Sequence, residues 1–356
     1  MNATRPKLTR KTIVLPILGL VAFFLYILLF NVDIPKILAT AQTANPFIYA
    51  AAILVSLVEV FFFAISWRAL LEFLYVKISI LRSYLFVWYS IFMDIVIPAE
   101  SISGEVCRVY LVNRECCGTS GKVVASVVIQ RVLGMGMNIA FLIAGVILLS
   151  METAVSPLIF NLILFFTVSI AVLLSLLLVF SAKEKWSLKA INLAVRAGEF
   201  LTRGKWKRLS RFKEEALTDA KMFHDSMMEF MHKPKPLFAP TFFLALNWIS
   251  SFGVPYLVFL SLGYDIPWSV ILVTSSVVVA VKSVPVGIPF EVGLPEITMT
   301  TLYTSMGVPA GISATATILS RIITLWLRFG VGFAAQQWIE VNACLTPAKS
   351  ATAEKT

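Results

Sequence analysis

Apolar stretches long enough to cross a hydrocarbon core recur along this chain, and two further apolar segments are broken by the same acidic motif. The uninterrupted stretches lie near 13–30, 47–67, 123–149, 157–180, 237–262 and 311–338. A helix needs about 20 residues to span a bilayer. Lipid offers the backbone no hydrogen-bond partner, so only helices and closed barrels can cross it. The alternation of polar and apolar residues that marks a membrane barrel is missing from the sequence. Only 14% of the residues are charged, against about 25% in soluble domains. The chain therefore reads as an all-α polytopic membrane protein.

Loop charge orients it. The formal net charge is +10, which in a soluble protein would suggest nucleic acid. Here the cations sit between spans, where the preference for positive charge on the cytoplasmic side accounts for them, and no nucleic-acid partner is expected. Residues 1–12 carry four Lys or Arg and no acid, and residues 183–235 carry thirteen Lys or Arg and seven Asp or Glu. Both are assigned to the cytoplasm. The loops near 31–46 and 150–156 hold only Asp33, Lys36 and Glu152, which suits the outside. Arg5, Lys7, Arg10 and Lys11 precede 13–30 as in a signal peptide, but no small-residue cleavage site follows, so this span is read as retained. Parity then makes the segment 78–121 start and end inside, and 266–308 start and end outside. Each reads as a re-entrant helical hairpin. Both termini are expected in the cytoplasm, with a disordered tail over 341–356. Within the basic loop, Phe212, Ala216, Ala220, Phe223, Met227 and Phe230 recur at helical spacing. They mark an amphipathic helix, lying either on the anionic leaflet or in the cytoplasm.

The two broken segments match. Pro98-Ala-Glu100-Ser-Ile-Ser-Gly104-Glu105 and Pro289-Phe-Glu291-Val-Gly293-Leu-Pro-Glu296 share the pattern P-x-E-x4-E. Arg131 follows Glu105 by 26 residues and Arg321 follows Glu296 by 25. The spans 47–67 and 237–262 occupy corresponding places upstream. The architecture expected is about six full spans plus two re-entrant hairpins in an inverted repeat, with halves near 47–149 and 237–338, as in many transporters.

Ionisable side chains cost roughly 2.5–3.5 kcal/mol each in a membrane span, so each needs a reason. Candidates for a polar translocation path are Glu100, Glu105, Arg108 and Arg131 in the first half. Glu291, Glu296, Arg321 and Arg328 are their counterparts in the second, with Lys282, Glu59 and Asp94 as further ionisable groups. Arg328 lies seven residues beyond Arg321 and so faces the same way. Guanidinium groups offer paired donors to phosphate. Pro98, Gly104, Gly287, Pro289 and Gly293 are read as the residues that break the hairpins. The alternative is that Glu105 pairs with Arg131 and Glu296 with Arg321, locking hairpin to span. Cys107, Cys116, Cys117 and Cys344 have neither metal-site nor disulfide spacing. With His224 and His232 both in the basic loop, no metal, cofactor or nucleophile–His arrangement is expected, and no catalytic residue is assigned.

The stretch Ile97-Pro-Ala-Glu-Ser-Ile-Ser-Gly-Glu105-Val-Cys-Arg108-Val-Tyr-Leu resembles a signature of the flippase-like membrane domain of bacterial lysyl-phosphatidylglycerol synthases. The stretch from Val284 to Gly332, with Gly287, Glu291, Gly293, Glu296 and Arg321, resembles that family's second signature. Ile288 and Phe290 stand where its pattern is richer in glycine. The resemblance covers roughly 13–340 and implies a lipid translocation domain with re-entrant helices. In the bacterial synthases a soluble aminoacyl-transferase domain follows. There is no room for it before Thr356, so the expectation is transport without transfer. The functional expectation is a plasma-membrane lipid translocase acting on a phospholipid or polyprenyl-linked lipid with an anionic head group. A proton- or ion-coupled solute transporter and a lipid-modifying enzyme are the alternatives.

Overall fold

The computed structural model describes residues 39–97, 102–152, 157–182, 209–282 and 293–345. The expected span 13–30, the tail beyond 345 and the motif residues Pro98, Glu100, Gly287, Pro289 and Glu291 lie outside them. Every regular element among the described residues is helical.

The first half begins with α1 (Pro46–Phe73), whose N-terminus Asn45 caps by accepting from Phe47 N at 3.0 Å, with Pro46 in the first turn. α2 (Ile80–Val96) is capped by Ser79, which accepts from Arg82 N at 3.2 Å. A break leads to α3 (Ile102–Glu115), and then to α4 (Ser120–Glu152). α5 (Pro157–Ala182) and α6 (Leu209–His232) follow. The second half repeats the order: α7 (Phe238–Ser261), α8 (Trp268–Lys282), a break, α9 (Leu294–Ser305) and α10 (Ala310–Arg321). A π-helical stretch, Ile322–Leu327, joins α10 to α11 (Arg328–Leu345) without interrupting the rod. The linkers before α2 and α8 are six residues each, and those before α4 and α10 four each.

Four of these rods are long and apolar enough to cross a membrane: Pro46–Phe73, Ser120–Glu152, Lys235–Ser261 and Ala310–Asn342. They coincide with four of the expected spans, and α5 falls on a fifth. α2, α3, α8 and α9 have 17, 14, 15 and 12 residues, all short of the 20 that a crossing needs. Large apolar side chains such as Leu54, Val58, Phe61, Ile143, Ile147, Phe165 and Val168 point outward. In a membrane span an outward apolar face is the face that meets lipid.

α2 and α3 form a tight antiparallel pair. Near the break, Asp94 Oδ1 accepts from Gly104 N at 2.6 Å and Ser103 Oγ at 2.8 Å. At the open end Arg82 pairs with Glu115. Residue numbers that sum to nearly the same value at both ends define an antiparallel hairpin. Gly104 was expected to break the chain. It lies instead in the first turn of α3, where any Cβ would sit 2.6 Å from the Ser90 carbonyl and collide with Asp94. The glycine lets two helices touch; the chain breaks before it. Gly293 does sit at a break, capping α9 with φ +99°, a conformation that favours glycine.

The two largest apolar cores among the described residues each draw on both halves. The first gathers Trp67, Phe86, Val87, Trp88, Leu111 and Val112 with Ala335 and Ile339 of α11. The second gathers Phe252, Val258, Phe259, Ile271, Val277 and Tyr303 with Ala52 of α1 and Leu142 and Leu149 of α4. Thus α11 packs on α2 as α4 packs on α8, while α1 and α7 pack on one another. Lys122 at the start of α4 donates to Leu74 O at 3.1 Å, beside the open end of the first hairpin. Glu152 at the far end of α4 accepts from Ser269, at the start of α8. The starts of α2 and α8 therefore lie at opposite ends of a 33-residue rod, about 50 Å long.

The amphipathic helix expected in the basic loop is α6. Its Ala220, Met227 and Phe230 pack with Leu70, Leu74, Ala125 and Ile129 of α1 and α4. The apolar face is thus occupied by the protein's own core.

Candidate functional site

Two polar cavities lie among the described residues, each walled by helices of both halves. The first, about 310 Å³, lies between α1, α2, α3, α4, α5, α7 and α8. Its ionisable lining is Asp94, Glu105, Arg108 and Arg131. Arg131 Nε meets Glu105 Oε1 at 3.3 Å, tying the hairpin to α4, with Arg131 33% and Glu105 20% exposed. Arg108 is held differently. Its Nη1 donates to Gln130 Oε1 at 2.8 Å, and Gln130 in turn donates to Phe63 O at 3.0 Å. The guanidinium lies 5.4 Å from the Phe63 ring centre and 5.1 Å from that of Trp67, within cation–π range. Trp67 is itself fixed by a bond from Nε1 to Ser126 Oγ at 3.1 Å.

The second cavity, about 420 Å³, is bounded by α1, α7, α8, α9 and the α10–α11 rod. Glu59, Lys282, Arg321 and Arg328 supply its charge. Arg321 Nε meets Glu296 Oε1 at 2.5 Å, and both are almost wholly buried, at 7% and 3% exposure. The other Glu296 oxygen accepts from Gly293 N at 2.7 Å, so one carboxylate both caps α9 and binds the long rod. Arg328 Nη2 meets Glu59 Oε2 at 2.5 Å. That contact joins α11 in the second half to α1 in the first. Pro255 lies inside α7 and lines the same cavity as Ser251, four residues earlier. A proline has no N–H, so the Ser251 carbonyl loses its helical partner at the cavity's edge. Phe63, Ile91, Asn247, Trp248 and Val279 face both cavities and form the wall between them.

Both Glu–Arg pairs suggested by spacing are formed, and Arg321 and Arg328 do face one cavity. Glu100 and Glu291 lie outside the described residues. Sequence reasoning missed the uncharged members. Asn247 donates to Glu59 O at 3.0 Å, and Asn138 donates to Ser276 O at 3.4 Å. The repeat offered a signal for them. Gln130 directly precedes Arg131 as Ser320 precedes Arg321, and Asn138 follows Arg131 by the seven residues that separate Arg328 from Arg321.

The family model of the lysylphosphatidylglycerol synthase transmembrane region matches residues 14–332. The chain belongs to this family. Two relatives of this lysylphosphatidylglycerol synthase transmembrane-region protein align along nearly their whole length. UPF0104 membrane protein PH1989 of Pyrococcus horikoshii is 24% identical over 304 residues, covering 85% of this chain and 90% of that protein. UPF0104 membrane protein MJ1595 of Methanocaldococcus jannaschii is 24% identical over 334 residues, covering 92% and 95%. Both are membrane proteins made almost entirely of this one region, as the resemblance in the motif residues implied.

Proposed function

We propose that this protein is a lipid translocase of the cell membrane, moving a lipid with an anionic head group between leaflets without changing it covalently. The observation that carries the reading is the pair of polar cavities set back to back across the wall around Phe63, Asn247 and Trp248. The head group crosses through the cavities while the tails stay in lipid. We read the halves as an inverted repeat, which gives each cavity its own side of the bilayer. The starts of α2 and α8 lie at opposite ends of α4, which supports this reading. Rocking one half against the other exposes them in turn. The Arg328–Glu59 pair spans the halves and is the contact such a motion would break. Membership of a family named for a lipid synthase agrees with lipid as the cargo, as an association of fold and not of chemistry.

The test is reconstitution of the full chain in vesicles carrying a fluorescent phospholipid in both leaflets. A membrane-impermeant quencher reaches only the outer leaflet of protein-free vesicles. With the protein, the inner pool should become quenched for anionic head groups. No movement above protein-free vesicles across several head-group classes would remove the reading. The carboxylates of Glu59 and Glu105 in the cavity linings favour one second reading, a proton- or ion-coupled solute transporter. It requires solute uptake that collapses with the ion gradient while lipids stay in place.

A further inference from the structure

We propose that Arg108 is the anion-binding group of the first cavity, and that this cavity is a preformed site for the phosphate ester of a lipid head group. The proposal rests on the lipid reading above and names its point of contact.

Three arginines other than Arg108 line the two cavities, and each has a carboxylate against it: Arg131 has Glu105, Arg321 has Glu296 and Arg328 has Glu59. Arg108, 6% exposed, has no carboxylate within ion-pair distance among the described residues. Among the described residues its one hydrogen bond goes to a neutral amide, and its buried Nε has no partner there. Glu105 and Asp94 are near enough to act on it electrostatically, but a buried guanidinium N–H left without a hydrogen-bond partner is costly. A site that pays this in the empty state recovers it when an anion arrives. The guanidinium is also held still by Gln130, Phe63 and Trp67, so little freedom is lost on binding.

The rest of the lining selects the ligand. Asp94 and Glu105 share the cavity with Arg108 and Arg131, giving it no net formal charge. Both acids already accept hydrogen bonds, Asp94 from the start of α3 and Glu105 from Arg131. A bare dianion would be repelled by them. A phosphodiester, with one negative charge and a neighbouring hydroxyl or ammonium donor, fits both signs. Asn138, 2% exposed, lines the same space with its Oδ1 unpartnered, an acceptor for such a donor. Ile170 and Leu173 of α5 and Gly134 of α4 complete the wall with apolar surface. A Cβ on Gly134 would meet nothing within 4 Å, so the glycine leaves open room where a larger ligand fits.

The experiment measures binding to the purified full chain in detergent by native mass spectrometry and thermal shift. The probes are a short-chain phosphatidylglycerol, the matching diacylglycerol without phosphate, and inorganic phosphate. The phospholipid should bind, the diacylglycerol should bind at least about tenfold more weakly, and inorganic phosphate should not compete at equal concentration. Arg108→Gln should weaken phospholipid binding by about tenfold or more and Arg108→Lys by less. Gly134→Leu, which leaves every charge in place, should block it. Should Arg108→Gln not fold, Gly134→Leu decides alone, since undiminished phospholipid binding in a plugged cavity overturns the proposal. Equal binding of phospholipid and diacylglycerol overturns it, as does unchanged binding in a folded Arg108→Gln. Tight competition by inorganic phosphate overturns the lipid ester in favour of a free anion. Arg108-dependent binding without transbilayer movement in vesicles would leave this site standing and remove translocation.

Discussion

Two ion pairs of the same make sit in different surroundings. Glu296 and Arg321 are almost wholly enclosed, whereas Glu105 and Arg131 keep a fifth and a third of their surface open. Removing one member of a buried pair leaves a charge that water cannot reach, at a cost of about 3–5 kcal/mol. A pair open to water contributes about 0–1 kcal/mol. Glu296→Ala also frees Gly293 N, which Glu296 caps. Glu296→Ala should therefore lower unfolding free energy in detergent several times more than Glu105→Ala. Denaturant titration of both variants checks this, and equal losses would mean the second cavity is wetter than its geometry implies. The Arg328–Glu59 pair escaped the sequence because its members are 269 positions apart and only folding brings α11 to α1. The two Glu–Arg pairs were legible because the spacing occurs twice.

Among the elements, the hairpins carry the departure from a simple bundle, and their geometry rests on a short list of contacts. Gly104 permits the approach of α2 to α3, and Asp94 caps α3 across the break. Asp94→Ala should cost about 0.5–2 kcal/mol, as lost caps do. Gly104→Ala should push the helices apart and cost more. A direct check is cross-linking. With the native cysteines replaced, Arg82→Cys and Glu115→Cys, whose native side chains pair at the open end, should be joined by a bismaleimide of about the reach of an Arg–Glu pair when the rest of the chain is unchanged. The yield should fall in Gly104→Ala. Efficient cross-linking between Arg82→Cys and a cysteine near the start of α3 instead would contradict the antiparallel arrangement. The long helices were readable because bilayer thickness sets their length. The short ones were readable as interruptions, through Pro and Glu in apolar runs. The role of Gly104 was not readable, because what excludes a side chain there is the Ser90 carbonyl of another helix and nothing in the local sequence.

At the scale of the whole molecule, the order and spacing of the described helices recur in the two halves but the charges differ. Asp94 stands 14 residues into the first hairpin from Ile80, and Lys282 stands 14 from Trp268. Glu59 precedes Ile80 by 21 residues, and Asn247 precedes Trp268 by the same number. On the proposed translocase reading, matched positions of opposite or unequal charge would give the two cavities different affinities for one head group, so that each side could bind and release in turn. The open ends differ as well. Around the first hairpin stand Arg68, Lys77, Arg82, Arg114 and Lys122, whereas the linkers flanking the second, 262–267 and 306–309, contain Asp265 and no Lys or Arg. On the positive-inside preference the first of these ends is expected in the cytoplasm and the second outside. Lys77 and Asp265 are both exposed, so each suits replacement by a single cysteine in an otherwise cysteine-free chain. An impermeant maleimide added to intact cells should label Asp265→Cys and spare Lys77→Cys until the membrane is opened. Labelling of both from one side would place the hairpins on the same face. The cavities would then no longer serve opposite leaflets, and the same helices would have to be explained as a bundle without a path.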